Sequence, residues 1–196
     1  MIAVHRRTNR LTILGENILL DKFVLTLLAL SLTGASAFAQ SPAVSEVSKA
    51  PIFPGKGKEA DWKKAIKLYQ EGVSLGSSGS LSDAITDMKS AIEIYPFEPV
   101  FYNGLAVEYY QRHQAGDFPL AEKALRKALT MKPKSAMLWD NLGKGLFEQK
   151  QYAKAREALT NALHCNPPAA KAKELQTNID IIDQLLKGAK SPTAQS

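Results

Sequence analysis

The sequence of 196 residues predicts an all-α fold, an α-solenoid of antiparallel helix-turn-helix repeats. Pro96, Pro133 and Pro167 recur at intervals of 37 and 34 residues, and proline ends a helix because it cannot continue the backbone hydrogen bonding. Apolar residues between these prolines recur at helical spacing. Small residues recur at two fixed places in each unit, where helices must approach closely: Gly72, Ala106 and Gly143 at one, and Ala84, Ala121 and Ala155 at the other.

The third unit, residues 136–169, carries the clearest pattern. Its pattern residues are Trp139, Leu142, Gly143, Leu146, Tyr152, Ala155, Leu159, Ala162 and Pro167. This spacing resembles the tetratricopeptide repeat family, whose 34-residue helix-turn-helix unit reads W-x2-L-G-x2-Y, then A-x3-F, then a closing proline. Leu146 replaces the usual tyrosine and Leu159 the usual phenylalanine, and both substitutions keep a bulky apolar group. The resemblance implies a right-handed superhelix.

The first unit, residues 65–98, follows the same register with Glu71 where leucine is usual. We expect its first helix to start earlier, with Asp61 as N-cap and Trp62 in the first turn. The glycines of the segment 76–80 should stop this helix, and Ser80 or Ser82 can cap the next one.

The second unit, residues 99–135, is 37 residues long. The three extra residues fall within residues 111–115 and should lengthen the first helix or its turn. Insertions in repeat arrays map to loops, often on a binding face. We favour a tolerated neutral insertion over a binding loop.

Residues 170–186 predict a capping helix, with Leu175, Ile179, Ile182 and Leu186 along one stripe. A terminal repeat needs such a cap because its outer apolar face cannot remain in water. The repeat domain should therefore span residues 59–187, followed by a disordered tail at residues 188–196.

Residues 1–39 predict a secretory signal peptide that is cleaved after Ala39. Lys22 precedes a short apolar run at residues 23–32, and small residues precede the cleavage site. This predicts export to the periplasm or full secretion. The alternative is a membrane anchor through residues 23–39, although a spanning helix needs about 20 apolar residues.

Residues 40–58 predict a flexible linker because three prolines and two glycines lie among small polar residues. Ile52 and Phe53 could dock on the first helix, but a loose linker is favoured. The formal net charge is +6, of which +2 (four basic and two acidic residues) lies in the first 39 residues. The remaining charges are interspersed without a basic block, which argues against a nucleic-acid partner.

The sequence offers little support for an enzyme. Downstream of the signal peptide the candidate chemical groups are His113 and His164, which lie in different repeats, and Cys165, the only cysteine. We expect the histidines to be surface or helix-end residues and the thiol to be a small, partly buried group. The sequence predicts no catalytic residue, no metal site, no cofactor and no small-molecule substrate.

The resemblance implies that partners bind on a concave face lined by the first helix of each repeat. The residues expected there are Tyr69 and Val73 in the first repeat, Asn103, Val107 and Tyr110 in the second, and Asp140, Lys144 and Phe147 in the third. Aromatic, amide and charged groups of this kind suit an extended or helical peptide. For the apolar members the alternative is packing against neighbouring helices.

Chaperone-binding members of the family hold the C-terminal carboxylate of a peptide with lysine, asparagine and arginine side chains at five places. Those places hold Tyr69, Val73, Gly104, Met137 and Asn141 here. A chaperone-tail adaptor of that kind is therefore disfavoured. We predict a non-catalytic, exported interaction module that binds a protein or peptide, and the alternative is a structural accessory subunit of an envelope or surface assembly.

Overall fold

A computed structural model describes residues 53–188 of the chain. This part forms seven helices and no strand: α1 Glu59–Ser77, α2 Leu81–Ile94, α3 Pro99–Arg112, α4 Asp117–Met131, α5 Ala136–Glu148, α6 Tyr152–His164 and α7 Ala169–Gly188. The predicted signal peptide (1–39), residues 40–52 of the predicted linker and residues 189–196 of the predicted tail lie outside the described residues.

Consecutive helices pack in pairs, α1 with α2, α3 with α4, and α5 with α6. The second helix of each pair then packs on the first helix of the next, and α7 closes the series against α6. The structure confirms the predicted all-α solenoid of three repeats followed by a terminal helix.

Local signals explain where the helices begin and end. Pro99 opens α3, where its missing N–H costs nothing and its fixed φ suits a first turn. Ser135 is the N-cap of α5, and its hydroxyl accepts a hydrogen bond from the Leu138 backbone N–H. Gly79 and Gly116 adopt positive φ values of 88° and 90° in the turns between paired helices, a conformation that glycine adopts without strain.

Small residues let the helices of each pair approach closely, as the sequence predicts. Ala84, Ala121 and Ala155 have no exposed surface. A Cβ on Gly72 would lie 3.1 Å from the Ala84 carbonyl oxygen. A larger side chain at these places would therefore overpack the contact, at a cost of about 1–3 kcal/mol.

The start and end of α1 differ from the prediction. The helix begins at Glu59, so Asp61 lies in its first turn instead of capping it. Carboxylates in this turn are favourable because they face the positive end of the helix dipole. Gly76 remains helical, and only Gly79 has the positive φ that ends the turn.

The three extra residues of the second repeat are distributed among three elements. Relative to the third repeat, α3 is one residue longer than α5, the turn at residues 113–116 is one residue longer than that at 149–151, and α4 begins one pattern place earlier. The insertion is therefore built into regular structure and does not form a separate loop.

The predicted linker and the predicted tail are each ordered at the end that joins the repeat domain. Phe53 packs edge-on against Trp62, with 5.7 Å between ring centroids, so the docked alternative holds for the end of the linker. The terminal helix continues to Gly188, two residues beyond its predicted end. Within residues 53–188 no helix has the length and apolar character that a membrane span requires.

Candidate functional site

The residues at the fifth place of each repeat, Tyr69, Asn103 and Asp140, are buried between consecutive first helices. Their exposed fractions are 0%, 0% and 3%. The Tyr69 ring lies 5.1 Å from the Phe101 ring. It also covers Gly104, where a Cβ would come within 2.5 Å of the ring. These side chains join neighbouring repeats, and in this conformation they do not reach a partner.

Asn103 and Asp140 make the equivalent contact through polar atoms. Asn141 Nδ2 donates a hydrogen bond to Asn103 Oδ1 at 2.8 Å. Lys171 Nζ lies 2.7 Å from Asp140 Oδ2. The fifth place of every repeat therefore contacts the next first helix, through an aromatic ring, an amide pair and an ion pair in turn.

Val107 and Tyr110 are also buried, with exposed fractions of 6% and 1%. The Tyr110 ring lies 5.6 Å from the Phe118 ring. Its hydroxyl end rests on Gly145, which has no side chain to obstruct it. For these apolar residues of the expected groove the alternative prediction holds, since they pack against neighbouring helices instead of facing a partner.

Val73, Lys144 and Phe147 keep part of their surface exposed. The Lys144 side chain is 27% exposed. The Phe147 ring lies 5.5 Å from the Tyr152 ring. Fewer residues of the expected groove are therefore accessible than the sequence indicates. Partner contact by these three residues stays a prediction.

Lys144 belongs to a four-residue ion-pair cluster with Asp140, Lys171 and Glu174. Lys144 Nζ lies 3.0 Å from Asp140 Oδ2 and 3.6 Å from Glu174 Oε1. Lys171 Nζ lies 2.7 Å from the same Asp140 oxygen and 2.8 Å from Glu174 Oε1. The cluster is electrically neutral and ties the terminal helix α7 to α5.

Burial and the neighbouring charges act in opposite directions on this cluster. Burial alone would raise the pKa of Glu174, but the hydrogen bond from Lys171 and the charge of Lys144 hold it below its ordinary value. Burial alone would lower the pKa of Lys171, but Asp140 and Glu174 raise it. All the shifts that the structure resolves here favour the charged forms.

The sequence interpretation missed Lys171 and Glu174 because it assigned α7 to structure alone. A signal was present in the register. Lys171 occupies the second place of a unit that starts at Ala170, and the second place is one that the family resemblance assigns to the groove. A capping helix can therefore also complete a binding face.

The remaining chemical groups do not converge. His113 is the C-cap that follows α3, and its Nδ1 lies 2.7 Å from the Tyr110 carbonyl oxygen, while His164 is exposed at the end of α6. Burial raises the pKa of the Cys165 thiol, which disfavours the nucleophilic thiolate. Residues 53–188 contain no group of three or more His, Cys, Asp or Glu side chains placed to hold a metal ion.

Residues 112–179 match the tetratricopeptide repeat family model. The type IV pilus assembly protein PilF of Pseudomonas aeruginosa is 29% identical over 136 residues, which cover 69% of this chain and 48% of that protein. The small glutamine-rich tetratricopeptide repeat-containing protein 2 of Mycosarcoma maydis is 28% identical over 109 residues, covering 56% of this chain and 30% of its own length. The chain thus spans less than half of each of these relatives.

Solved structures share the fold at low sequence identity. The first repeat domain of Spaghetti (RPAP3), bound to an HSP90 peptide, gives a TM-score of 0.59 at 21% identity and covers 67% of this chain and 99% of its own. The Sgt2 domain of Aspergillus fumigatus gives 0.58 at 23%, covering 71% and 94%. The Yersinia enterocolitica chaperone SycD, in complex with a peptide of the translocator YopD, gives 0.58 at 19%, covering 68% and 100%.

Proposed function

This chain belongs to the tetratricopeptide repeat family, and we propose that it is a non-catalytic interaction module that binds a peptide or protein partner in its concave groove. Structural neighbours in complex with peptides support the proposal, among them the RPAP3 domain with an HSP90 peptide and SycD with a YopD peptide. The fold supplies a row of first helices that an extended or helical segment can follow.

The ion-pair cluster of Asp140, Lys144, Lys171 and Glu174 is the observation that carries the proposal, and Phe147 follows Lys144 by three residues on the same helix. Lys144 and Lys171 are 27% and 29% exposed, and Glu174 is 49% exposed. Such half-buried charges are already partly desolvated. Each can therefore replace its ion pair within the cluster by an ion pair with a charged group of the partner, and these new pairs fix the register of the bound partner. Phe147 provides a neighbouring apolar surface for an aromatic or aliphatic anchor, the side-chain type that contributes most binding energy at interfaces.

We place this activity outside the cytoplasm, in the periplasm or the extracellular medium. The support is the sequence of residues 1–39, with a basic flank, a short apolar run and small residues before the cleavage site. N-terminal analysis of the processed protein should give Gln40 as the first residue. Retention in the membrane fraction with residues 23–39 intact would instead support the anchored alternative.

Affinity capture of the processed protein, with mass-spectrometric identification of bound partners, tests the proposal. The double variant Lys144→Ala/Phe147→Ala should lose the partner and stay folded with only a small fall in melting temperature, because Lys171 still pairs with Asp140 and Phe147 is only half-buried. Lys123→Ala/Leu120→Ala is the matched control, because it removes one exposed lysine and one exposed apolar side chain from α4, a second helix of its repeat. Equal capture by both double variants would contradict groove binding.

The second candidate is a structural accessory subunit of a cell-envelope assembly, which the similarity to a type IV pilus assembly protein favours. In that case the partner should remain bound to Lys144→Ala/Phe147→Ala. Alanine substitution of Tyr69, Asn103 or Tyr110 does not separate the two functions, because all three side chains are buried and their removal reports on folding.

A further inference from the structure

The segment Phe53–Gly57 crosses the N-terminal end of the solenoid in a defined conformation. The Phe53 ring packs edge-on against Trp62 at 5.7 Å and against Tyr95 at 6.5 Å between centroids. Gly55 and Gly57 have φ values of 76° and 77°, which bend the segment over the surface. We call residues 53–57 the strap.

The second half of the strap contacts the loop after α2. The Tyr95 hydroxyl donates a hydrogen bond to the Lys56 carbonyl oxygen. The Lys56 ammonium lies 4.6 Å from the centroid of the Phe97 ring, a cation–π geometry. A Cβ on Gly57 would lie 3.1 Å from the Tyr95 ring and 3.3 Å from the Phe97 ring, so the strap backbone lies directly on these rings.

We propose that Trp62, Tyr95 and Phe97 form a second peptide-binding site, separate from the concave groove, and that the strap occupies it in cis. The ligand class is a short segment with an aromatic residue three positions before a lysine and a glycine after it. The three rings recognise this class through an edge-on aromatic contact, a hydrogen bond to the main chain and a cation–π contact.

The burial of the three rings agrees with an occupied site. Trp62 is 5% exposed and Tyr95 1%, whereas Phe97 at the rim is 39% exposed. Within residues 53–188 no helix pair precedes the first repeat to cover its outer apolar face, and the end of a solenoid needs such cover. The strap provides cover at this end, as α7 does at the other.

The tether sets a bound on the affinity of the site. A short flexible connection gives the strap an effective concentration on the order of millimolar. A strap that is bound most of the time must therefore have a dissociation constant below that value. The same segment added as a free peptide at millimolar concentration must then bind a chain whose own strap has been displaced.

The first experiment measures release of the strap in the full chain. Endoproteinase Lys-C cleavage after Lys56 is followed by mass spectrometry in Phe53→Ala, Gly57→Ala and the matched control Gly55→Ala. Both glycines have nearly the same φ, but a Cβ on Gly55 has no atom within 4 Å. We expect Phe53→Ala to speed cleavage about tenfold and Gly57→Ala to be cleaved faster than Gly55→Ala. A native rate in Phe53→Ala, or equal rates in the two glycine variants, would overturn the proposal.

The second experiment fills the site in trans. The double variant Phe53→Ala/Gly57→Ala, labelled with nitrogen-15, is titrated with the capped peptide FPGKGK, which copies residues 53–58. We expect the Trp62 indole signal to shift at millimolar peptide while the Trp139 indole signal, the only other one in the chain, stays fixed. The native chain, and the peptide with alanine for phenylalanine, should show no shift. An unmoved Trp62 signal in the double variant would refute the site.

Discussion

At the scale of single residues, contacts between repeats depend on pairing a large side chain with a glycine. Tyr110 of the second repeat rests on Gly145 of the third, and Glu108 of the second rests on Gly76 of the first. In the first contact the large side chain belongs to the earlier repeat and the glycine to the later one, and in the second contact this order is reversed. Because each glycine is helical and has a φ that any residue adopts, close approach and not backbone freedom requires it.

Glu108 makes its contact with Gly76 sensitive to pH. Its side chain is 6% exposed, and burial raises its pKa from 4.5 to about 7. The unfolded chain ionises at the lower value, so the free energy of unfolding should fall as pH rises from about 4.5 to about 7 and level off above it. Glu108→Gln removes this dependence and should stabilise the protein by on the order of 1–2 kcal/mol at pH 8.

Urea unfolding at several pH values measures the effect. Glu157→Gln, at an exposed carboxylate of α6, is the matched control and should keep the native dependence. The comparison between variants isolates Glu108 from carboxylates such as Asp117, whose lowered pKa gives a dependence of the opposite sign. If the free energy of unfolding of Glu108→Gln changed with pH in parallel with that of the native protein, Glu108 would not be the source of the pH dependence.

At the scale of elements, the longer second repeat is held by an ion pair across its turn. Arg112 Nε and Nη2 lie 3.0 Å and 2.6 Å from the two carboxylate oxygens of Asp117, and the Gln114 backbone N–H donates to Asp117 at 2.9 Å. The Asp117 side chain is only 2% exposed. The end of α3 and the start of α4 are therefore locked together, which explains why the insertion is ordered.

Asp117→Ala should destabilise the protein by about 3 kcal/mol, because it leaves the Arg112 charge without its buried partner. The hydrogen bond from Arg112 lowers the pKa of Asp117, so its stabilisation is present at neutral pH and is lost as pH falls through that lowered value. The Arg156–Asp183 pair has the same two-nitrogen geometry but is exposed. Asp183→Ala should therefore have a much smaller effect in thermal unfolding, and equal effects would contradict this account.

The sequence predicts the helices well because their determinants are local. Closing prolines such as Pro96 and repeated small residues such as Gly72 act within one unit, and both behave as expected. The exposure of Tyr69 is not local, because it depends on Gly104 in the next repeat leaving room for the ring. Docking of Phe53 depends on Tyr95, 42 residues away in sequence. Periodicity places a residue within its repeat and does not show which neighbour fills the space beside it.

At the scale of the whole domain, the solenoid is a linear series in which each helix contacts its neighbours. Both ends are covered, by the strap at the first repeat and by α7 at the third. The stability of such an array is approximately a sum of the stabilities of its repeats and of the interfaces between them. A change at one end should therefore remain near that end.

Ile182→Ala and Ile85→Ala test, from opposite ends of the array, whether a destabilising change stays local. Ile182 of α7 is 1% exposed and Ile85 of α2 is 3% exposed, so each substitution creates a buried cavity and should cost about 2–5 kcal/mol. Hydrogen exchange followed by mass spectrometry should show lost protection in α7 and α6 for Ile182→Ala, with α1 and α2 close to native. Ile85→Ala should show the reverse gradient. Uniform loss across all seven described helices in either variant would mean that the domain unfolds as one cooperative unit, because a purely additive array confines the loss to the neighbours of the cavity.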